Sequence, residues 1–194
     1  LRVPNHPQKH ELGERDLPFS NTVYIERDDF MEVPSKGFHR LSPGKDARLR
    51  YAYVIRCDEV IKDATGQVTE LKCTYDPDTG SGQNPKDGHK VKGIIHWVDA
   101  KQGVKAEVRL YDRLFKVPNP GSLDDADFVN EINPESLITR RAAFIEPALA
   151  LAAPETRFQF ERLGFFTADQ KDHKPSSPVF NRTVTLRDTW AEKA

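Results

Sequence analysis

Lys36, His39, Arg40, Lys45, Arg48, Arg50 and Arg56 fall in one stretch, residues 36–56, that also carries Gly37, Pro43, Gly44, Tyr51 and Tyr53. Guanidinium groups make forked hydrogen bonds to phosphates and base edges, and flat side chains offer stacking surfaces. The pattern reads as a basic loop that closes into a strand, with Tyr51, Tyr53 and Ile55 on one face. Such a stretch suits unstacked nucleotides. A solvated hairpin end uses the same residue types, so the stretch does not decide the matter by itself.

A second constellation lies in Thr156-Arg-Phe-Gln-Phe-Glu-Arg162. Alternation puts Phe158 and Phe160 on one face of a strand and leaves Arg157, Gln159 and Glu161 on the other. Gln159 on a stiff strand, with Arg162 at the bend before Gly164, can hydrogen-bond a base edge; the alternative is the polar outer face of an ordinary strand. Arg182 and Arg187 follow, and pairing with Asp188 or Glu192 accounts for them as well as RNA contact does.

Catalysis finds little support. Six histidines are present, but His6 and His10 lie in a proline-rich loop, and His89 and His96 are spaced onto opposite faces or ends of a strand. No Gly-x-Ser-x-Gly elbow, phosphate-cradling glycine loop or His-Glu-x-x-His pair occurs. The neighbouring carboxylates Asp28-Asp29 and Asp124-Asp125 suit solvated turns better than an acid/base dyad. No catalytic residue, bound cofactor or metal is expected. Cys57 and Cys73 lack partners at ligand spacing. The turn at Asp63–Gly66 places them nearly opposite in a hairpin, and with no secretory signal they are expected as thiols.

The elements that position these groups are strands. The chain has 194 residues, 37% hydrophobic and 30% charged, with formal net charge -1. An RNA surface therefore requires segregated charge, and Asp124, Asp125, Asp127, Glu131 and Glu135 cluster far from the basic loop. No apolar run reaches the roughly 18 residues of a membrane span, and no signal peptide is visible, so a cytoplasmic protein is expected. Strands are predicted at 18–26, 50–62, 68–75, 91–98, 105–110, 138–145, 157–161, 164–168 and 179–186. Ser122 and Asp125 form a capping box for a short helix, and Pro147–Ala153 forms a helical turn or two. The first segment, Val3–Gly13, is too rich in proline for a helix and looks cut from a longer polypeptide. Short strands with turn signals between them predict an all-β barrel architecture.

Several blocks carry a family resemblance: Pro4-Asn-His-Pro7, Val91-Lys-Gly-Ile-Ile-His-Trp97, Arg109-Leu-Tyr-Asp-Arg-Leu-Phe115, Asn133-Pro-Glu-Ser-Leu137, Phe158-Gln-Phe-Glu-Arg162 and Val179–Trp190. In this order, and almost from end to end, the chain resembles the C-terminal half of glutaminyl-tRNA synthetase. The resemblance implies two β-barrels like those of a ribosomal 5S-RNA-binding protein, a proximal one from residues 1–30 and 116–194 and an inserted distal one from 31–115. It implies a monomer whose partner is the anticodon stem-loop of glutamine tRNA. The catalytic nucleotide fold, with its ATP and magnesium, would lie upstream in the same polypeptide. This segment alone would be inactive as a ligase.

Carried over residue by residue, the resemblance places His39, Arg40, Arg48 and Arg50 at the anticodon bases and phosphates. It gives Gln159 and Arg162 the central uridine, and it puts Gln8 near the 3′ side of the loop. His39 stands where the family has lysine, which weakens its contact near neutral pH because an imidazole is charged only in acid. Two alternatives remain: the corresponding domain of an archaeal- or eukaryotic-type glutamyl-tRNA synthetase, and a ribosomal-type structural RNA-binding module.

Overall fold

β-branched and aromatic residues, alternating with polar ones and broken by Gly, Pro and Asp, dictate short strands rather than helices. The computed structural model describes residues 1–121 and 128–186. The expected Ser122–Asp125 capping box, the carboxylates Asp124, Asp125 and Asp127, and Arg187, Asp188 and Glu192 lie outside the described residues. The described chain divides into two compact units, residues 1–102 and 103–194.

The first unit holds β1 (Arg2–Pro4), β2 (Glu14–Asp16), β3 (Val23–Ile25), β4 (Asp46–Leu49), β5 (Val54–Lys62), β6 (Val68–Asp76), β7 (Ile94–Ile95) and β8 (Trp97–Asp99). Its main sheet has the order β6-β5-β4-β7, with β4 and β7 parallel; β1 pairs with β2, and β3 with β8. Val3, Leu17, Leu41, Leu49, Ile95 and Trp97 are buried in one core, against which Phe19, Tyr51 and Tyr53 pack. Burying this many large apolar side chains supplies the main driving force for the unit, at about 25 cal/mol per Å² of apolar surface.

The β5–β6 hairpin has the expected register, with Cys57 opposite Cys73, and both cysteines are free. Its turn is built by Asp63, whose Oδ1 accepts from the Thr65 main-chain N–H at 2.8 Å and the Gln67 N–H at 3.0 Å. The Thr65 hydroxyl donates to the same oxygen, and together these bonds hold the carboxyl below its ordinary range.

The second unit holds β9 (Val104–Tyr111), β10 (Leu137–Ile145), β11 (Arg157–Phe160), β12 (Gly164–Ala168) and β13 (Val179–Val184), with one helical turn, α1 (Pro147–Ala150). Its sheet runs β10-β9-β13-β12-β11, and only the β9–β13 pair is parallel. Phe160 stacks on Phe166 with centroids 4.2 Å apart, and Phe158 meets Phe180 edge to face at 5.8 Å. Arg109 on β9 ties the sheet to the loop after β12. Its Nε donates to Glu107 at 2.7 Å and its two Nη groups to Asp169 at 3.3 Å and Asp172 at 2.7 Å.

The all-β reading holds, with two corrections. Neither unit closes into a hydrogen-bonded barrel among the described residues. Each ladder ends in open edges, and each unit's core is filled by side chains packed against its strands. The expected strand at 91–98 is split at His96, because β7 joins β4 while β8 joins β3. Val3, Leu17, Phe19, Val23 and Ile25 share the core of Leu49 and Trp97, so the first thirty residues pack with β4 and β8 of the same unit.

Candidate nucleic-acid interface

β4 ends in a tight turn. The Ala52 N–H donates to the Leu49 carbonyl at 2.8 Å, and the Leu49 N–H to the Tyr53 carbonyl at 2.9 Å. Tyr51 is therefore a turn residue, with φ 62°, and not the first residue of a strand; β5 starts three residues later. Tyr51, Tyr53 and Ile55 still meet one core, reached through this turn and not along a continuous strand. Arg50 is pinned from both sides: its N–H donates to Ile95 at 3.0 Å, and its carbonyl accepts from the indole of buried Trp97 at 2.9 Å.

This turn forms part of the wall of an open cavity of about 400 Å³, with Arg2, Arg48, Arg50, Tyr51 and Ser81 among its lining residues. The volume lies within the range of small-ligand sites. Three arginines line it, and no carboxylate does. Arg2 pairs with Glu14 at 3.6 Å and Asp16 at 3.2 Å.

Arg48 spans three main-chain carbonyls: Ala52 at 3.4 Å, Thr79 at 3.0 Å and Gln83 at 2.6 Å. Thr79 is fully buried, and its hydroxyl accepts from the Val54 N–H at 2.8 Å and donates to the Asp76 carbonyl at 2.7 Å. Arg48 thus clamps the 77–83 loop, and with it Ser81, at the cavity rim. Arg50 faces the Tyr51 ring, its Cζ 5.6 Å from the ring centroid.

His39 and Arg40 reach their position by a close backbone approach. A Cβ on Gly93 would overlap the His39 carbonyl, so the Lys92-Gly93-Ile94 segment admits this loop only with glycine. Arg40 donates to the Asp28 carbonyl at 2.6 Å, lies 3.4 Å from the buried Asp29 carboxylate and stands 5.5 Å from the Phe38 ring. His39 is exposed. A second cavity, of about 450 Å³, includes His89, Lys90 and Lys92 in its wall. Gln8 is exposed on the loop between β1 and β2, where its N–H donates to the His6 ring at 3.1 Å. It does not line either cavity.

In the second unit, Gln159 is exposed on β11, opposite Phe165 of β12, while Phe158 and Phe160 turn inward as the alternation predicts. Arg162 stands at the bend with φ 61°; the Leu163 N–H closes the turn on the Phe160 carbonyl at 3.0 Å. Gly164 follows with φ 140°, and a Cβ there would overlap the Val184 carbonyl. Nη1 of Arg162 lies 4.0 Å from Glu161.

Four non-glycine residues among those described have positive φ, and Tyr51, Ser81 and Arg162 are three of them. Left-handed backbone at such residues is costly and tends to mark functional sites. Arg48 and Arg50 of the basic stretch line the first cavity, whereas Gln159 and Arg162 belong to the second unit. Arg2 and Ser81, which no sequence pattern singles out, join the cavity wall from distant parts of the chain. No group of three or more His, Cys, Asp or Glu that could hold a metal occurs among the described residues.

Residues 1–76 and 94–169 match two family models, each described as the anticodon-binding domain of class I (E and Q) tRNA synthetases. The chain is 58% identical over 191 residues to a glutamine--tRNA ligase of Pseudomonas syringae pv. tomato, covering 98% of this chain and 33% of that protein. It is 56% identical over 193 residues to one from Stutzerimonas stutzeri, covering 99% and 34%. A third, from Aliivibrio fischeri, is 55% identical over 191 residues, covering 98% and 34%. The chain therefore spans about a third of the length of the curated relatives it matches.

Proposed function

Since this chain belongs to the anticodon-binding domains of class I (E and Q) tRNA synthetases, we propose that it reads the anticodon loop of glutamine tRNA for a longer polypeptide that attaches glutamine to that tRNA. The observation that carries this reading is the cavity where Arg48, Arg50 and Tyr51 meet. It joins two guanidinium groups of the basic stretch to an aromatic ring, the pairing that receives a splayed base.

In the proposed mechanism the anticodon bases leave their stack and enter separate pockets. Arg50 and its neighbours meet phosphates and base edges at the β4–β5 turn, with His39 and Arg40 beside them. Gln159 and Arg162 read the central base from the β11–β12 hairpin, and Gln8 approaches the 3′ side of the loop. A polar pocket rejects a wrong base because a mismatched donor is left desolvated, which costs about 1–3 kcal/mol. ATP and magnesium would act in the rest of the polypeptide, whose catalytic domain is the second partner of this chain. The working form is a cytoplasmic monomer. No helix among the described residues is long and apolar enough to cross a membrane.

Binding to glutamine anticodon stem-loops, with each of the three bases varied in turn, tests the proposal. Replacing the central base should weaken binding by at least about 1 kcal/mol. Preference for the glutamate stem-loop would assign the domain to a glutamyl enzyme. Indifference to all three bases would make it a shape-reading RNA module.

A further inference from the structure

We propose that the ring of Tyr51 is a stacking platform for one unstacked base of the bound RNA loop, an assignment that rests on the anticodon-binding reading above. The starting observation is a residue in the wrong place for ordinary structural reasons. Tyr51 occupies the third position of the Leu49–Ala52 turn with φ 62°. This position favours glycine or asparagine, because a Cβ clashes with the backbone there. The turn has little freedom to escape the strain: Arg50 is held through its N–H to Ile95 and through its carbonyl to Trp97.

Tyr51 packs against the same core as Phe19 and Tyr53. Those two rings meet aromatic neighbours, with Phe19 5.2 Å from Tyr53 and 5.3 Å from Trp97. The Tyr51 ring also faces the Arg50 guanidinium, 5.6 Å from its centroid, and Tyr51 lines the cavity. Tyr51 is half-buried, packed against the core and still partly accessible. A fixed flat ring beside a cation, in a cavity without a carboxylate, suits the face of a nucleobase whose edge or phosphate meets the arginine.

The test measures affinity of the chain for the glutamine stem-loop by fluorescence anisotropy, with intact loops and with loops abasic at each of the three anticodon positions. Tyr51→Asn and Tyr51→Gly both suit the left-handed turn but remove core packing, so binding is measured where circular dichroism shows both variants folded. Both should weaken binding of the intact loop by about 5- to 160-fold, the range for one stacked base. Tyr51→Phe should bind like the unsubstituted chain. The loss should disappear with one of the three abasic loops and persist with the other two. Unchanged affinity of Tyr51→Asn and Tyr51→Gly overturns the assignment, as does a loss that is the same with every abasic loop. Failure of the unsubstituted chain to bind any glutamine stem-loop overturns the functional reading instead, before Tyr51 is at issue.

Discussion

Arg48 and Gln159 carry different kinds of information. The Arg48 guanidinium bridges three carbonyls, two of them in the 77–83 loop, and it also contributes charge to the cavity. Its loss should act on every RNA alike: Arg48→Ala is expected to weaken all stem-loops and to reduce the salt slope of binding by about one ion. Gln159 is exposed and neutral, so Gln159→Ala should leave the fold and the salt slope unchanged and relax discrimination at a single base. Titrating both variants against the set of base-substituted loops, at several salt concentrations, separates the two roles. Equal losses from both substitutions on all loops would show that the division is wrong. Arg48 was identifiable from its place in a basic run, but its clamping role was not. Two of its carbonyl partners belong to a distant loop, which composition marks only as irregular.

Among elements, the 84–92 loop depends on charge more than on packing. His89 spans two carboxylates, with Nδ1 2.6 Å from Asp87 and Nε2 2.8 Å from Asp46 on β4. The hydrogen bond that the ring donates to Asp87 is the main cause that raises the His89 pKa above its ordinary 6.5, and Asp46 adds to it. The folded chain therefore holds this proton more tightly than the unfolded chain. The stabilisation is complete below about pH 6.5 and fades as pH rises through the raised folded value. In urea unfolding, the midpoint of the natural chain should exceed that of His89→Gln at pH 5.5, and the gap should narrow by pH 8.5. A gap that stays constant would mean that His89 acts through shape alone. The β11–β12 hairpin shows the opposite case, where the sequence is read easily. Strict alternation through Arg157–Phe160 places Phe158 and Phe160 inward and Gln159 outward, because side chains on a strand change face at every residue.

At the scale of the whole molecule, each unit has its own buried cluster. Residues 1–102 expressed alone should unfold cooperatively in denaturant, reported by fluorescence of buried Trp97; a broad, non-cooperative transition would show that this core is incomplete. Alternation and turn residues were enough to determine an all-β chain and the β5–β6 register, and six contiguous blocks in order were enough for the family. These depend on local periodicity and on motifs that are contiguous in sequence. Tertiary structure alone decided that the first thirty residues join the core of Trp97, that His96 divides two sheets, and that the ladders stay open. It alone brought Arg2, Arg48, Tyr51 and Ser81 to one cavity. Those outcomes depend on which distant strands pair and on how closely two backbones approach at Gly93, and such long-range energies leave no periodic trace in the order of residues.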